Sequence, residues 1–262
     1  MVRRAFILVV IALLTACATS PLGHHQLQLI PDSQMAEMGA TAFQQIEEKT
    51  PVSADAETNQ YVSCVANAIT SALSGSRKWD VKVFQDDKTV NAFALPGGKI
   101  GVYTGLLNVA KTQDQLAAVL GHEVSHVIAE HGNARMSAAL ATQAGLTAAE
   151  IYAASSGNDQ AQILGLLGLG AQVGILLPYS RSQESEADLL GLDLMARAGF
   201  DPRQAVALWH NMAQAGGEQP PEFLSTHPSH ENRIEDLKKR MASDLKRYRQ
   251  ARAQGNTPSC SS

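Results

Sequence analysis

The chain has 262 residues and a formal net charge of −4, with 45% hydrophobic and 18% charged residues. That length suffices for one large core, and no linker divides it. The acidic balance argues against nucleic acid as a partner; loss of residues 1–16 would leave 19 basic against 25 acidic residues, a net of −6.

Residues 1–16 read as a signal segment. Arg3 and Arg4 precede the apolar run Ala5 to Leu14, which is too short to span a bilayer as a stable helix. Leu14-Thr15-Ala16-Cys17 has the form of a lipobox, so cleavage before Cys17 would leave that residue to carry acyl chains, and two or more chains anchor a protein stably. The plainer alternative is a secretory signal with a coincidental cysteine. Ala18 after Cys17 resembles lipoproteins that, in a Gram-negative cell, go to the outer membrane and face the periplasm. Residues 17–31, with Pro21, Gly23 and Pro31, read as a lipidated tether in which His24-His25 is a solvated pair rather than a metal site.

The main domain is expected over 32–252, followed by a flexible C-terminus at 253–262. Met35, Met38, Ala42, Phe43 and Ile46 mark an amphipathic helix from about Asp32, and Tyr61, Val65, Ile69 and Leu73 mark another from about Asp55. Three short strands follow, at Val81 to Phe84, Val90 to Leu95 and Lys99 to Tyr103, with Pro96-Gly97-Gly98 turning the last two. Thr112-Gln113-Asp114-Gln115 has the form of a capping box and His131-Gly132 that of a stop, so a helix is predicted over about 113–131. Leu116, Leu120, Val124 and Val127 form its apolar stripe.

That helix carries His122-Glu123-Val124-Ser125-His126. Two imidazoles four residues apart sit about 40° apart around a helix and roughly 6 Å along it, so both can grip one metal ion, while Glu123 can take a proton from an attacking water. The bland reading is a pair of satisfied core histidines and a helix-surface glutamate. A third ligand is expected from a second helix, and Ser180-Arg181-Ser182-Gln183-Glu184-Ser185-Glu186-Ala187-Asp188 offers one. Glu184 and Asp188 share a face, which suits Glu184 as ligand and Asp188 as hydrogen-bond acceptor for a ligating histidine; Glu186 points away. Spacing alone does not choose firmly between Glu184 and Glu186, and an ordinary acidic helix start is the plain alternative.

Between the two motifs, Ala134 to Leu177 reads as a helical hairpin over the cleft; its Gly-rich stretch Ala161 to Leu177 is short and imperfect as a membrane span. Gly199-Phe200-Asp201-Pro202 ends one helix and starts the next, whose core face is Val206, Trp209 and Met212. A last helix from about Ser229 carries Ile234, Leu237, Met241, Leu245 and Tyr248, with basic outer faces that read as solvated. Cys64 and Cys260 remain once Cys17 is lipidated. In an oxidising compartment they are a plausible disulfide, though two independent thiols fit as well.

HExxH followed by SRxxExxAD resembles the zinc metallopeptidase family of the CAAX prenyl endopeptidases, HtpX and the periplasmic protease BepA, over roughly residues 33–240. Asn91 to Gly98 and Ser225-Thr226-His227-Pro228, followed by Arg233, extend the likeness, and the lipoprotein start is most similar to the LoiP-like outer-membrane lipoprotein branch. The resemblance implies a gluzincin-type α+β fold, mainly helical, with a small three-stranded sheet beside the zinc helix. It implies one zinc ion per chain, held by His122, His126 and Glu184, with Glu123 as base and Asp188 behind the ligands.

It also implies an edge strand at Asn91, Ala92, Phe93 and Ala94 that pairs with substrate backbone, and a His227 close to the metal. His227 can either aid the oxyanion, with Arg233 as a further candidate, or block the site as a fourth ligand; a turn histidine is the plain reading. The function expected is cleavage of unfolded or misassembled cell-envelope proteins, with possible links to envelope assembly machinery. The rival is a non-catalytic chaperone or assembly factor with a closed zinc site. A prenyl-protein processing enzyme is disfavoured because the chain lacks the many membrane helices such relatives use.

Overall fold

The computed structural model describes residues 17–75, 77–156, 179–215, 221–227 and 232–260. The signal segment and the glycine-rich run Ala161 to Leu177 lie outside the described residues, as does Ser229. Among the described residues, no helix is long and apolar enough to cross a membrane.

A hairpin of β1 (Cys17–Thr19) and β2 (His25–Leu27) opens the structure, followed by helices α1 (Asp32–Lys49) and α2 (Ala56–Ser71). Asp55 caps α2, its carboxylate accepting from the amides of Glu57 and Thr58. Strands β3 (Asp80–Phe84), β4 (Ala92–Leu95) and β5 (Lys99–Tyr103) form one sheet in the order β3-β5-β4, with β3 parallel and β4 antiparallel to β5. The expected three-stranded sheet is therefore present, and β4 is its edge. Short α3 (Thr104–Leu107) leads into α4 (Gln113–Ile128), which bears the HExxH motif. Then come α5 (His131–Ser156), α6 (Arg181–Arg197), α7 (Arg203–Ala215), α8 (Glu222–Thr226) and α9 (Arg233–Ala253). The fold is α+β and mainly helical.

Helix α4 is the central element. Leu116, Leu120 and Val124 on it are fully buried, and burying a side chain of that size stabilises by about 1.5–3 kcal/mol. Thr112 caps it by accepting from the Gln115 amide, but the reciprocal half of the expected box is absent: Gln115 Oε1 accepts from the Lys111 amide instead. Its end also differs from the expected stop. The chain turns at Glu130, which takes the left-handed φ of +55°, and Gly132 lies inside α5. The turn therefore comes early enough to make His131 the first residue of the next helix.

Two glycines set how closely α4 and α6 approach. A Cβ on Gly191 would lie 2.8 Å from His122 N, and one on Gly121 would lie 2.9 Å from Gly191 O. The backbones of the two motif helices thus meet beside His122. On the other side, α1 buries Met35, Gly39 and Phe43. Gly39 sits where any Cβ would meet Pro96 O, so α1 packs on the Pro96-Gly97-Gly98 turn. Met38, expected on that face, is exposed, because burial follows the Met35, Gly39, Phe43 spacing of four.

Both ends are pinned more tightly than composition suggests. Residues 17–31, expected as a tether, lie against the body: Gln26 Nε2 donates to Ala129 O, the Leu29 amide to Ser137 Oγ, and Asn133 Nδ2 to Ile30 O. At the C-terminus Cys260 is joined to Cys64 with a Cα–Cα distance of 5.7 Å, and Gln113 bonds both the Pro258 carbonyl and the Cys260 amide. The disulfide and these two bonds hold a segment that reads as flexible from its polar composition.

Candidate metal centre

His122 and His126, one turn apart on α4, bring their Nε2 atoms to 3.0 Å. Glu184, in the first turn of α6, places Oε2 at 3.5 Å from His122 Nε2 and Oε1 at 3.3 Å from His126 Nε2. His227, the C-cap of α8, adds Nδ1 at 3.2 Å from His122 Nε2 and 3.0 Å from Glu184 Oε1. One donor atom from each of these four buried side chains lies within 4.8 Å of all the others.

Three nitrogens and a carboxylate oxygen are the donor set of a zinc-type cation, and a tetrahedral ion with bonds of about 2.0–2.1 Å separates its ligands by about 3.3 Å. The observed separations bracket that distance, so the cluster fits a divalent metal.

Each histidine on α4 is supported from behind. His122 Nδ1 donates to Asp188 Oδ1 at 3.0 Å, leaving Nε2 to face the cluster. Asp188 is gripped in turn by Arg233, through Nε to Oδ2 at 2.6 Å and Nη2 to Oδ1 at 2.8 Å. Arg233 also reaches Glu184 Oε2 at 3.1 Å and lies 3.6 Å over the Trp209 ring. The buried guanidinium thus clamps a ligand carboxylate and the Asp188 carboxylate behind His122, because both charges need a partner once removed from water. Behind His126, Nδ1 lies 2.9 Å from His131 Nδ1, and His131 Nε2 lies 3.4 Å from Glu186 Oε2. Glu186 does point away from Glu184, as its spacing implies, yet it is buried all the same.

Glu123 sits between the cluster and the sheet edge. It is 3% exposed, and its Oε1 lies 3.3 Å from His227 Nε2 without hydrogen-bond alignment, so that oxygen has no hydrogen-bond partner among the described residues. Burial pushes its carboxyl up from the usual range, against the pull of His227, His122 and the Ala94 amide.

Burial alone would lower His122, but its bonds to Asp188 and Glu184 outweigh that and hold it up at about 9; His126, buried with weaker support, is pushed well down. For Glu184, burial is overcome by its bonds to His122, His126 and His227, and the carboxyl is held far below the usual carboxylate range. The Tyr179 ring stacks on His126 at 4.0 Å, and its hydroxyl is pushed up to about 12 by burial.

The Tyr103 amide donates to Asn91 O at 3.1 Å, which makes that pair a hydrogen-bonded one. The antiparallel alternation then turns the main-chain groups of Ala92 and Ala94 outward to the free edge. Phe93 points the other way, over Gly101, into a ring cluster with Phe43, Phe84 and Tyr103. Asn91 donates to Glu222 Oε1 at 3.2 Å, and the Phe223 amide to Val90 O at 3.1 Å, tying the strand to the short helix that ends in His227. A cleft lined by Ala94, Pro96, His126, Asn133 and Tyr179 opens beside the ligands.

The model of peptidase family M48 matches residues 55–241, which hold every one of the four candidate ligands and Glu123. The chain belongs to peptidase family M48. It is 41% identical to the mitochondrial metalloendopeptidase OMA1 of Schizosaccharomyces pombe over 69% of its length and 52% of the relative's. To the β-barrel assembly-enhancing protease of Yersinia pestis it is 30% identical over 85% of its length and 46% of the relative's, so the chain spans about half the length of these two. To the metalloprotease LoiP of Escherichia coli it is 29% identical over 84% of its length and 85% of LoiP's.

Within this M48 frame the structure gathers His122, Glu123, His126, Glu184, Asp188 and His227 at one place, beside the Ala92–Ala94 edge. Cys17 lies on the opening hairpin and Cys64–Cys260 at the far ends of the domain sequence. The reading of the residues missed His131, Tyr179 and the use made of Glu186. His131 has a signal, a third histidine five residues beyond the motif, at a position where the following Gly132 reads as a helix stop.

Proposed function

We propose that this M48 chain is a zinc-dependent endopeptidase. His122, His126 and Glu184 hold the ion. When bound, zinc supplies Lewis acidity toward the scissile carbonyl and lowers the pKa of a nearby water. An extended peptide adds to the outward groups of Ala92 and Ala94 as a further strand, which orients its carbonyl with little demand on side-chain identity. Glu123, adjoining that edge, accepts the proton of the attacking water and returns it to the leaving nitrogen; its raised proton affinity suits both halves of the task. The observation that carries this reading is Glu123 itself: a metal held only for structure needs no buried carboxylate with an unpartnered oxygen between its ligands and an open strand edge.

The rival, a closed scaffold or chaperone, draws support from His227 Nδ1, which stands among the ligands as a fourth donor. In the endopeptidase reading the His227 side chain swings aside to admit substrate and then faces the oxyanion. The substrates are unfolded or misassembled envelope proteins, the anchor is acylated Cys17, and the location is the periplasmic face of the outer membrane. The likeness to LoiP along most of both chains supports this setting, and the name of the Yersinia relative supports a link to β-barrel assembly machinery.

The test is zinc content and casein cleavage for wild type, Glu123→Gln and His227→Ala. Zinc in all three with cleavage lost only in Glu123→Gln supports the hydrolase. Zinc in all with no cleavage in wild type or His227→Ala favours the scaffold.

A further inference from the structure

The turn of the opening hairpin converges on one buried group. Ser20 Oγ donates to Glu186 Oε2 at 2.9 Å, the Leu22 amide to Glu186 Oε1 at 2.9 Å, and His24 Nδ1 to Glu186 Oε2 at 2.7 Å. Within that turn the His24 amide donates to Ser20 Oγ at 3.0 Å, so the segment is folded around its own contact point. Glu186 is 1% exposed and His131, on its inner side, is 0% exposed. Ser20 to His24 lie before residue 55, where the family match begins.

Proton directions follow from the geometry. His126 turns Nε2 to the ligand cluster, so its proton sits on Nδ1 and points to His131 Nδ1, which must then be an acceptor. His131 therefore carries its proton on Nε2, directed at Glu186. Among the described residues Glu186 accepts from four donors, and three of them come from the hairpin.

We propose that Ser20, Leu22 and His24 are positioning elements of the metal centre: by fixing Glu186 they fix His131, and His131 fixes the tautomer and orientation of His126. His122 is supported directly by Asp188, and His126 at one remove by Glu186, so both supports come from the helix that supplies Glu184. The strap begins three residues after Cys17, so a membrane anchor there would stand within about 10 Å of the Glu186 contact. Attachment and metal retention thus meet in one short segment.

This inference rests on the metal-binding reading above, and zinc affinity separates the two. Full-length wild type, Ser20→Ala/His24→Ala, Glu186→Gln and, as an exposed control on the same hairpin, Thr19→Ala are titrated with Zn2+ against a chromophoric chelator. Far-UV circular dichroism of the metal-free proteins checks folding. Glu186→Gln is expected to weaken zinc about 10–100-fold and the strap double variant about tenfold. Thr19→Ala should match wild type, and the Co2+ absorption bands should shift in the two weakened variants.

If the folded strap variant binds zinc within twofold of wild type, or if Thr19→Ala weakens it equally, the proposal is overturned. If wild type itself binds no zinc, the metal-binding reading fails instead. Should Glu186→Gln not fold, the strap variant decides alone.

Discussion

The closest approach in the site makes the most quantitative prediction. In Gly191→Ala the new methyl would stand 2.8 Å from His122 N, 2.9 Å from Gly121 C and 3.0 Å from His122 Cα, all of them backbone atoms. Carbon contacts are comfortable at about 3.5–4.0 Å, so the two motif helices must part by about 0.5–1 Å. Overpacking of this kind costs about 1–3 kcal/mol, while alanine's better helix propensity returns about 1 kcal/mol. The net loss is then up to about 2 kcal/mol, a fall of up to about 8 °C in Tm for a domain of this size. Because His122 rides on one helix and Glu184 on the other, the same displacement misaligns the donors, and zinc affinity should fall about tenfold. Thermal unfolding of the metal-free protein and chelator competition read the two effects separately. Gly145→Ala is the control: it has no atom within 4 Å of its added Cβ and lies on α5, so it should leave zinc affinity unchanged and raise Tm slightly. A Gly191→Ala protein with wild-type Tm and wild-type zinc affinity would refute the close-contact reasoning.

Three other expectations follow from the same structure. Asp188→Asn leaves Arg233 buried with half its pairing and loosens His122, so it should cost about 3–5 kcal/mol of stability and weaken zinc binding; urea unfolding that matches wild type would contradict this. His122, held at about 9 in the metal-free chain, must be neutral to bind a metal. Below that pH each loading event releases its proton, so apparent zinc affinity should climb about tenfold per pH unit toward about 9 and then level off. The raised value also means that stability contributed by this group to the metal-free chain is complete below its unfolded pKa of about 6.5 and lost as pH rises through about 9. Titrations at several pH values, with proton release followed in two buffers, check both signs. Finally, the Cys64–Cys260 bridge closes a separation of 196 residues. Replacing both cysteines by alanine should lower stability by about 2–5 kcal/mol with zinc stoichiometry unchanged, measured by urea unfolding and metal analysis.

Periodicity and caps made α4, α6 and the three strands legible, because each stands on a pattern of apolar spacing that the fold uses directly. The spacing of Glu184 and Asp188 likewise survives, since one turn of helix does place them on the same side. What could not be read were groups whose roles depend on a neighbour far along the chain. Arg233 carries a charge but no direction in a sequence; only the buried carboxylates of α6 fix it behind the ligands. His131 was lost because Gly132 is the usual residue to leave a helix, whereas here Glu130 accepts the left-handed turn and delivers His131 beneath His126. Residues 17–31 read as a tether because Pro21, Gly23, Pro31 and a run of polar side chains make up most of them. Its order comes from the acceptors it finds on the body, Glu186, Ala129, Asn133 and Ser137, none of which is visible locally.

The charge balance of the interior explains why these pieces belong together. Glu123, Glu184, Glu186 and Asp188 are all buried within one region, and Arg233 is the guanidinium set against two of them, Glu184 and Asp188. Burying carboxylates without compensation is costly, so a cluster of this composition needs further positive charge. A divalent cation at His122, His126 and Glu184 supplies it where the nitrogens already converge, and it does so without protonating the imidazoles. Protonated His122 is the substitute available to the metal-free chain, which is why its pKa stands high. Metal and proton therefore compete for the same electrostatic vacancy, and the carboxylates of α6 set the terms for both. Asp188 and Glu186 are held by Arg233 and by the opening hairpin respectively, so loosening either support should weaken the hold on the metal together with the fold.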